Sequence, residues 1–151
     1  MSDFLTAYTT AIQTRINTLT ATPGPLAGVI VLLEDAADLE TQVTRAIDEF
    51  GMLILIGEAT CRNTRATLRG PAAFTITSGI LLGETPTVWR DTPLTKPVCR
   101  DVAAQLVNLL QGFDIAGFTP LIVESVVFVP DKRRQLYEIN LESKVTIQKT
   151  T

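Results

Sequence analysis

The stretch PLIVESVVFVPDKRRQLYEINLESKVTI, residues 120–147, decides the fold. Residues 120–129 are rich in the β-branched residues that favour strands. Residues 130–134, PDKRR, are polar and predict a turn. From Tyr137 to Ile147, apolar and polar residues alternate, as in a strand with one buried face. The stretch therefore predicts a β-hairpin.

The return strand of this hairpin is unusually long. Its alternation spans about 36 Å at about 3.3 Å per residue, roughly twice the usual strand length. We expect part of it to reach beyond its own sheet, because an exposed strand edge is a template for pairing with another chain. The alternative is that the strand covers the chain's own core.

Three amphipathic helices precede the hairpin. The first covers residues 3–19, where apolar residues recur at steps of three and four. The second begins near Asp38 and ends at Gly51, a residue suited to the left-handed conformation that stops helices. The third is capped by Thr95 and ends by Gly117.

Strand patterns lie between the helices. Residues 28–33 and 52–56 are short apolar runs, and a third strand alternates from Ala73. Residues 58–70 predict an exposed loop or a protruding strand end, and residues 83–93 a turn-rich connection.

This order of elements predicts an α/β fold of the α+β type in one domain, residues 1–151. We expect a mixed, mainly antiparallel sheet, about three helices packed on one face and a long C-terminal β-hairpin. A chain of 151 residues is large enough to bury a core without metals or disulfides.

Composition excludes several classes of catalyst. The chain has no histidine, which excludes Ser-His-Asp and Cys-His catalysis and imidazole metal sites. Cys61 and Cys99 form no CxxC pair, so we expect two reduced cysteines and no cofactor. The formal net charge of -3 argues against a dedicated nucleic-acid binder.

The chain also lacks membrane signals. The amino terminus MSDFLT has no basic region followed by an apolar run, and no apolar stretch approaches the roughly 18 residues that a membrane span needs. We expect a soluble protein made in the cytosol.

One motif suggests an enzyme. Pro130-Asp131 followed by Glu142-Ser143-Lys144 fits the loose PD-(D/E)xK pattern of metal-dependent nucleases. Such a site needs both carboxylates on one metal ion. With Asp131 in the turn, Glu142 would lie roughly 25 Å along the strand, so the pattern favours a chance match.

Two basic segments are candidates for contact with phosphate or with an acidic partner protein. No aromatic residues interleave with them to stack on bases, and solvated surface charge is the alternative. The residues are Arg62, Arg65 and Arg69 in one segment and Lys132, Arg133 and Arg134 in the other.

The end of the chain resembles a phage family. The segments FTPLIVES from Phe118, VFV from Val127 and LYEINLESKV from Leu136 resemble the tail terminator, or tail completion, proteins of Mu-like contractile-tailed phages and prophages. In that family a Pro-Leu strand precedes a hairpin whose return strand carries an aromatic residue. The helices over residues 3–19 and 98–113 fall in the corresponding order.

The resemblance implies a structural virion protein with no catalytic residues. Such proteins form a ring, here expected to be hexameric, on the last ring of the tail tube, at the head-proximal end of the tail. Implied partners are further copies of the chain, the tail tube protein, the sheath and the head-side connector. DNA would pass through the lumen without specific binding, no membrane would be involved, and assembly would occur in the bacterial cytoplasm.

We expect the long return strand and the basic segments to supply the contacts of this ring, since a closed ring needs a head-to-tail interface. The alternative is another neck, connector or tail-completion subunit. The predicted interface residues are Tyr137, Ile139, Leu141 and Val145, with Arg62, Arg65, Arg69, Lys132, Arg133 and Arg134.

Overall fold

A computed structural model describes residues 4–21, 26–63, 72–90 and 97–147. A π-helical segment, Arg45–Phe50, continues the second helix. The helices are α1 (Phe4–Thr20), α2 (Leu39–Thr44), α3 (Pro86–Trp89) and α4 (Cys99–Leu110). The strands are β1 (Ile30–Leu33), β2 (Met52–Ile56), β3 (Thr60–Asn63), β4 (Ala72–Glu84), β5 (Ile122–Val129) and β6 (Gln135–Ile147).

The described strands form one six-stranded sheet in the order β1-β2-β4-β6-β5, and β3 pairs with the outer part of β4. Only β1 and β2 are parallel, and all the other pairs are antiparallel. Strands β5 and β6 form the predicted C-terminal hairpin. The predicted fold class, a mixed and mainly antiparallel sheet with helices, is therefore confirmed.

The main core lies between one face of the sheet and the helices α1 and α4. On β2, β4 and β6, alternate residues point into it, including Ile54, Ile80 and Ile139, which are all fully buried. Tyr8 on α1 is also fully buried, and its hydroxyl is hydrogen-bonded to the Ser78 hydroxyl at 2.9 Å. The apolar steps of α1 and α4 thus face the sheet, as their periodicity predicts.

Helix α2 and the π-helical segment lie on the opposite face. Ala46 packs with Leu32 and Leu53 in a separate cluster, which Leu39 and Val43 extend. The helices are therefore divided between both faces rather than gathered on one. The physical reason is that β1 and β2 are apolar at successive positions, which gives both of their faces surface to bury.

Gly51 ends the π-helical segment, as its position predicts. Its backbone is left-handed, with φ of 96°, and its N–H donates to the Ala46 carbonyl at 2.8 Å. Trp89 lies so close that a Cβ on Gly51 would come within 2.5 Å of the Trp89 nitrogen. Glycine thus satisfies both the dihedral angle and the close approach of α3.

The segment expected to be an exposed loop or a protruding strand end contains β3, whose residues are all exposed, in agreement with the prediction; residues 64–70 of this segment lie outside the described residues. The connection expected over residues 83–93 instead begins inside β4 and contains the short helix α3. The predicted cap Thr95 lies outside the described residues, and α4 begins at Cys99.

Candidate assembly surface

Both basic segments have exposed residues among those described, but these lie toward opposite ends of the sheet. Arg62 is exposed on β3, and Arg65 and Arg69 lie outside the described residues. The turn with Lys132 and Arg133 adjoins the other end of β4, where Glu84 pairs with Gln135. Because β4 is 13 residues long, about 40 Å separates the two ends. The fold therefore does not bring Arg62 together with Lys132 and Arg133 within one chain.

The turn at residues 130–134 is held in place by its own hydrogen bonds. The Asp131 carboxylate accepts bonds from the backbone N–H groups of Arg133 at 2.9 Å and Arg134 at 3.0 Å. These bonds, with the nearby guanidinium groups, lower the pKa of Asp131. Arg134 also forms an ion pair with Asp48 at 3.2 Å. Lys132 and Arg133 remain exposed.

The proposed nuclease residues are separated in the structure. Asp131 is engaged in the turn, whereas Glu142 lies seven positions along β6 from Gln135, about 23 Å away. Lys144 lies further along the same strand. Among the residues that the structure describes, no group of three His, Cys, Asp or Glu side chains could hold a metal ion.

The predicted contact residues on β6 mostly face the chain's own core. Ile139, Leu141 and Val145 are 0%, 1% and 8% exposed. Tyr137 is half-buried against Phe128, with ring centroids 5.4 Å apart. All 13 residues of β6 pair with β4, so the strand does not reach beyond its sheet. The side chains of these three core residues therefore have no free surface to offer to a second subunit.

The exposed apolar surface lies instead on β5, the last strand of the sheet. Four of its large side chains are between 42% and 51% exposed, namely Ile122, Val126, Val127 and Phe128. The sequence carries a signal of this edge in the run VVFV at residues 126–129. Such a run is typical of a strand buried on both faces, yet β5 has a neighbour on one side only among the described strands.

The uncovered sheet face beside β5 is acidic. Glu142 on β6 is opposite Ile122, and Glu124 occupies the irregularity in the β5 register. The Glu142 carboxylate accepts a hydrogen bond from the protonated Glu124 carboxyl group and repels the charge of the ionised one, and both effects raise the pKa of Glu124. Asn140 extends the polar surface and donates to the Ser125 hydroxyl at 2.9 Å.

One carboxylate is buried away from this surface. Glu84, fully buried at the end of β4, accepts hydrogen bonds at 2.6 and 2.9 Å from the Arg90 guanidinium. The Cys99 N–H at the start of α4 lies 3.4 Å from the same carboxylate. Burial raises the pKa of the Cys99 thiol to about 12, with a further contribution from Glu84. The Glu84 carboxylate thus joins the end of β4 to the residue that follows α3 and to the start of α4.

Within the described parts of the chain, no helix combines the length and apolar composition that crossing a membrane requires.

No protein-family model and no curated protein matches this chain. Solved structures do match its fold. One is a chain of the virion of a native gene transfer agent (GTA) particle, with a TM-score of 0.61 and 12% sequence identity. The match covers 91% of this chain and 93% of that chain. At this identity the likeness is one of fold, and it extends over nearly the whole of both chains.

Proposed function

We propose that this chain is a structural subunit of a phage-like virion and, more specifically, its tail terminator. Six copies would form a ring on the end of the tail tube, stop tube polymerisation and present a surface to the head-side connector. The observation that carries the proposal is the shared fold with a chain of the gene transfer agent virion over 91% of this chain.

The exposed side chains of β5 support an assembly role. Monomeric proteins rarely leave several large apolar side chains together on a sheet edge, because such an edge pairs with other chains. Here four are 42–51% exposed on one edge strand, and three of them occupy the successive positions 126–128. A subunit that functions inside a ring would cover them on assembly.

The acidic sheet face supports the passage of DNA through such a ring. Glu124 and Glu142 would repel phosphates wherever they line the lumen, and the net charge of -3 agrees with transit without retention. In the virion the subunit would stand at the head-proximal end of the tail, in contact with the tube protein and the sheath.

A tube-length assay tests this function. Purified tube protein is polymerised with and without this chain, and tube lengths and end structures are recorded by negative-stain microscopy. Native mass spectrometry gives the subunit count. We expect a six-membered ring on one end of each tube and shorter tubes as the chain is added.

Two results would contradict the proposal. A ring that binds the head-side connector but leaves tube length unchanged would identify the neck-subunit alternative. A chain that stays monomeric with tube protein present would contradict a ring altogether.

A further inference from the structure

Strands β1 and β5 stand at the two ends of the strand order. The residue pairing across the sheet places them at the same position along the strand direction, which we call their height. Val129 pairs with Leu136, which continues through Gly83 and Leu53 to Ile30. Three residues away in each strand, Val126 connects in the same way, through Ile139, Ile80 and Ile56, to Leu33. Ile30–Leu33 on one edge thus lies level with residues 126–129 on the other.

The two edges also run in opposite directions. Strand β1 is parallel to β2, whereas β5 follows from β2 through three antiparallel pairings. If two copies stand side by side in the same orientation, β5 of one meets β1 of the next as an antiparallel neighbour. Within the sheet, all the described strand pairs except β1 with β2 are antiparallel as well.

Only an in-plane partner covers the exposed apolar residues at positions 126–128, which lie on both faces of the sheet. Val126 and Phe128 lie with Ile139 and Tyr137 on the face that packs against α1 and α4, because directly opposed residues share a face. Val127 lies on the other face, opposite Glu138. A helix docked on one face would leave the other residues exposed, whereas an added strand contacts both faces.

Strand β1 offers matching apolar residues in this arrangement. At equal height, Leu33 comes opposite Val126 and Val31 opposite Phe128, on the same face of the sheet. Both Leu33 and Val31 are only partly buried, so each retains apolar surface for a neighbour. The Glu34 N–H donates to the Ile56 carbonyl, and by alternation the Val31 backbone faces away from β2.

We propose that β5 of one subunit pairs with β1 of the next, in the register Val129 with Ile30 and Val126 with Leu33. The partner is a second copy of this chain, and the inference rests on the ring of the proposed function. Strands at equal height need no shift along the strand direction, so rotation alone relates the subunits, as a closed ring requires.

The same comparison disfavours β3 as the partner edge. Strand β3 pairs with residues 74–77 of β4, whereas β5 is level with residues 77–83. Pairing β3 with β5 would shift each subunit along the strands by about 15 Å. Repeated shifts of this kind produce an open helix rather than a ring.

Disulfide cross-linking between copies tests the register. We mix Val31→Cys and Phe128→Cys chains, each also carrying Cys61→Ser, because Cys61 is exposed and would react. Cys99 stays in place, since its buried thiol has a pKa of about 12. Opposed antiparallel residues have Cα atoms about 4.5–5.5 Å apart, within the range that a disulfide spans.

We expect the Val31→Cys and Phe128→Cys mixture to give about tenfold more cross-linked dimer than a control mixture of Val31→Cys with Ile122→Cys, which lies six positions away along β5. Equal yields would overturn the register. A second measurement is the native mass of the double variant Val126→Lys/Val127→Lys, in which both positions are already exposed. We expect loss of the ring with an unchanged circular dichroism spectrum.

The control is Asn108→Lys on the exposed side of α4, which should leave the ring intact. Intact rings from the double lysine variant would overturn the β5 interface while leaving the proposed function standing. A wild-type chain that forms no ring with tube protein would instead overturn the proposed function, and this inference with it.

Discussion

At the scale of single residues, the buried Glu84 carboxylate needs a charged partner, because an isolated charge in the core is costly. It is 0% exposed, and its charge is balanced by Arg90, whose side chain is 38% exposed. A buried charge is tolerated when it is paired and hydrogen-bonded, and removal of one partner leaves the other uncompensated.

We therefore predict that Arg90→Ala lowers the free energy of unfolding by about 2–3 kcal/mol, somewhat less than for a pair in which both members are buried. Urea denaturation followed by circular dichroism gives the value. The matched control is Arg134→Ala, which removes an ion pair whose members are 38% and 49% exposed. That variant should lose about 0–1 kcal/mol. Equal losses would contradict the special role of burial at Glu84.

Sequence reasoning had no means of finding this pair. Glu84 falls in a segment expected to be a connection, and its partner Arg90 follows the short helix α3. Burial of a carboxylate depends on which other elements cover it. Here the start of α4 at Cys99 does so, and the residue pattern of β4 alone gives no sign of that contact.

At the scale of elements, the hairpin and both long helices could be predicted because each has a strong period. The alternation of β6 correctly indicates one buried face, but alternation does not say what buries it. The structure shows that α1 and α4 do so within the same chain. The edge strand β5, rather than β6, carries the apolar surface that remains exposed.

Gly51, which ends the π-helical segment, gives a prediction at this scale. Gly51→Ala should lower the free energy of unfolding by at least about 2 kcal/mol, since a left-handed alanine is strained and its Cβ would meet the Trp89 backbone. The control is Gly112→Ala, where φ is 77° and nothing lies within 4 Å of the added Cβ. We expect about 1 kcal/mol there from the dihedral angle alone. Thermal unfolding compares the two, and an equal loss would exclude a contribution from the contact with Trp89.

At the scale of the whole molecule, topology decides which surfaces meet. Arg62 and Arg133 belong to similar basic segments of the sequence, yet the long strands β4 and β6 hold them toward opposite ends of the sheet. Spacing along a sequence cannot reveal this, because it depends on the order in which strands are added to the sheet.

In the proposed ring, the pairing of β5 with β1 would give each subunit a donor side and an acceptor side, and this would make the assembly sensitive to mixtures. A chain with Val126→Lys/Val127→Lys keeps a normal β1, so β5 of an intact neighbour can still pair with it. Its own altered β5 cannot pair with β1 of the next subunit. If one chain in ten carries the change, about half of all six-membered rings would contain at least one defective copy. We predict that co-expression with wild-type chains reduces intact rings in that proportion, as counted by native mass spectrometry, whereas Asn108→Lys mixes without loss. Such a poison subunit would act in the cell at concentrations well below those of the protein it blocks.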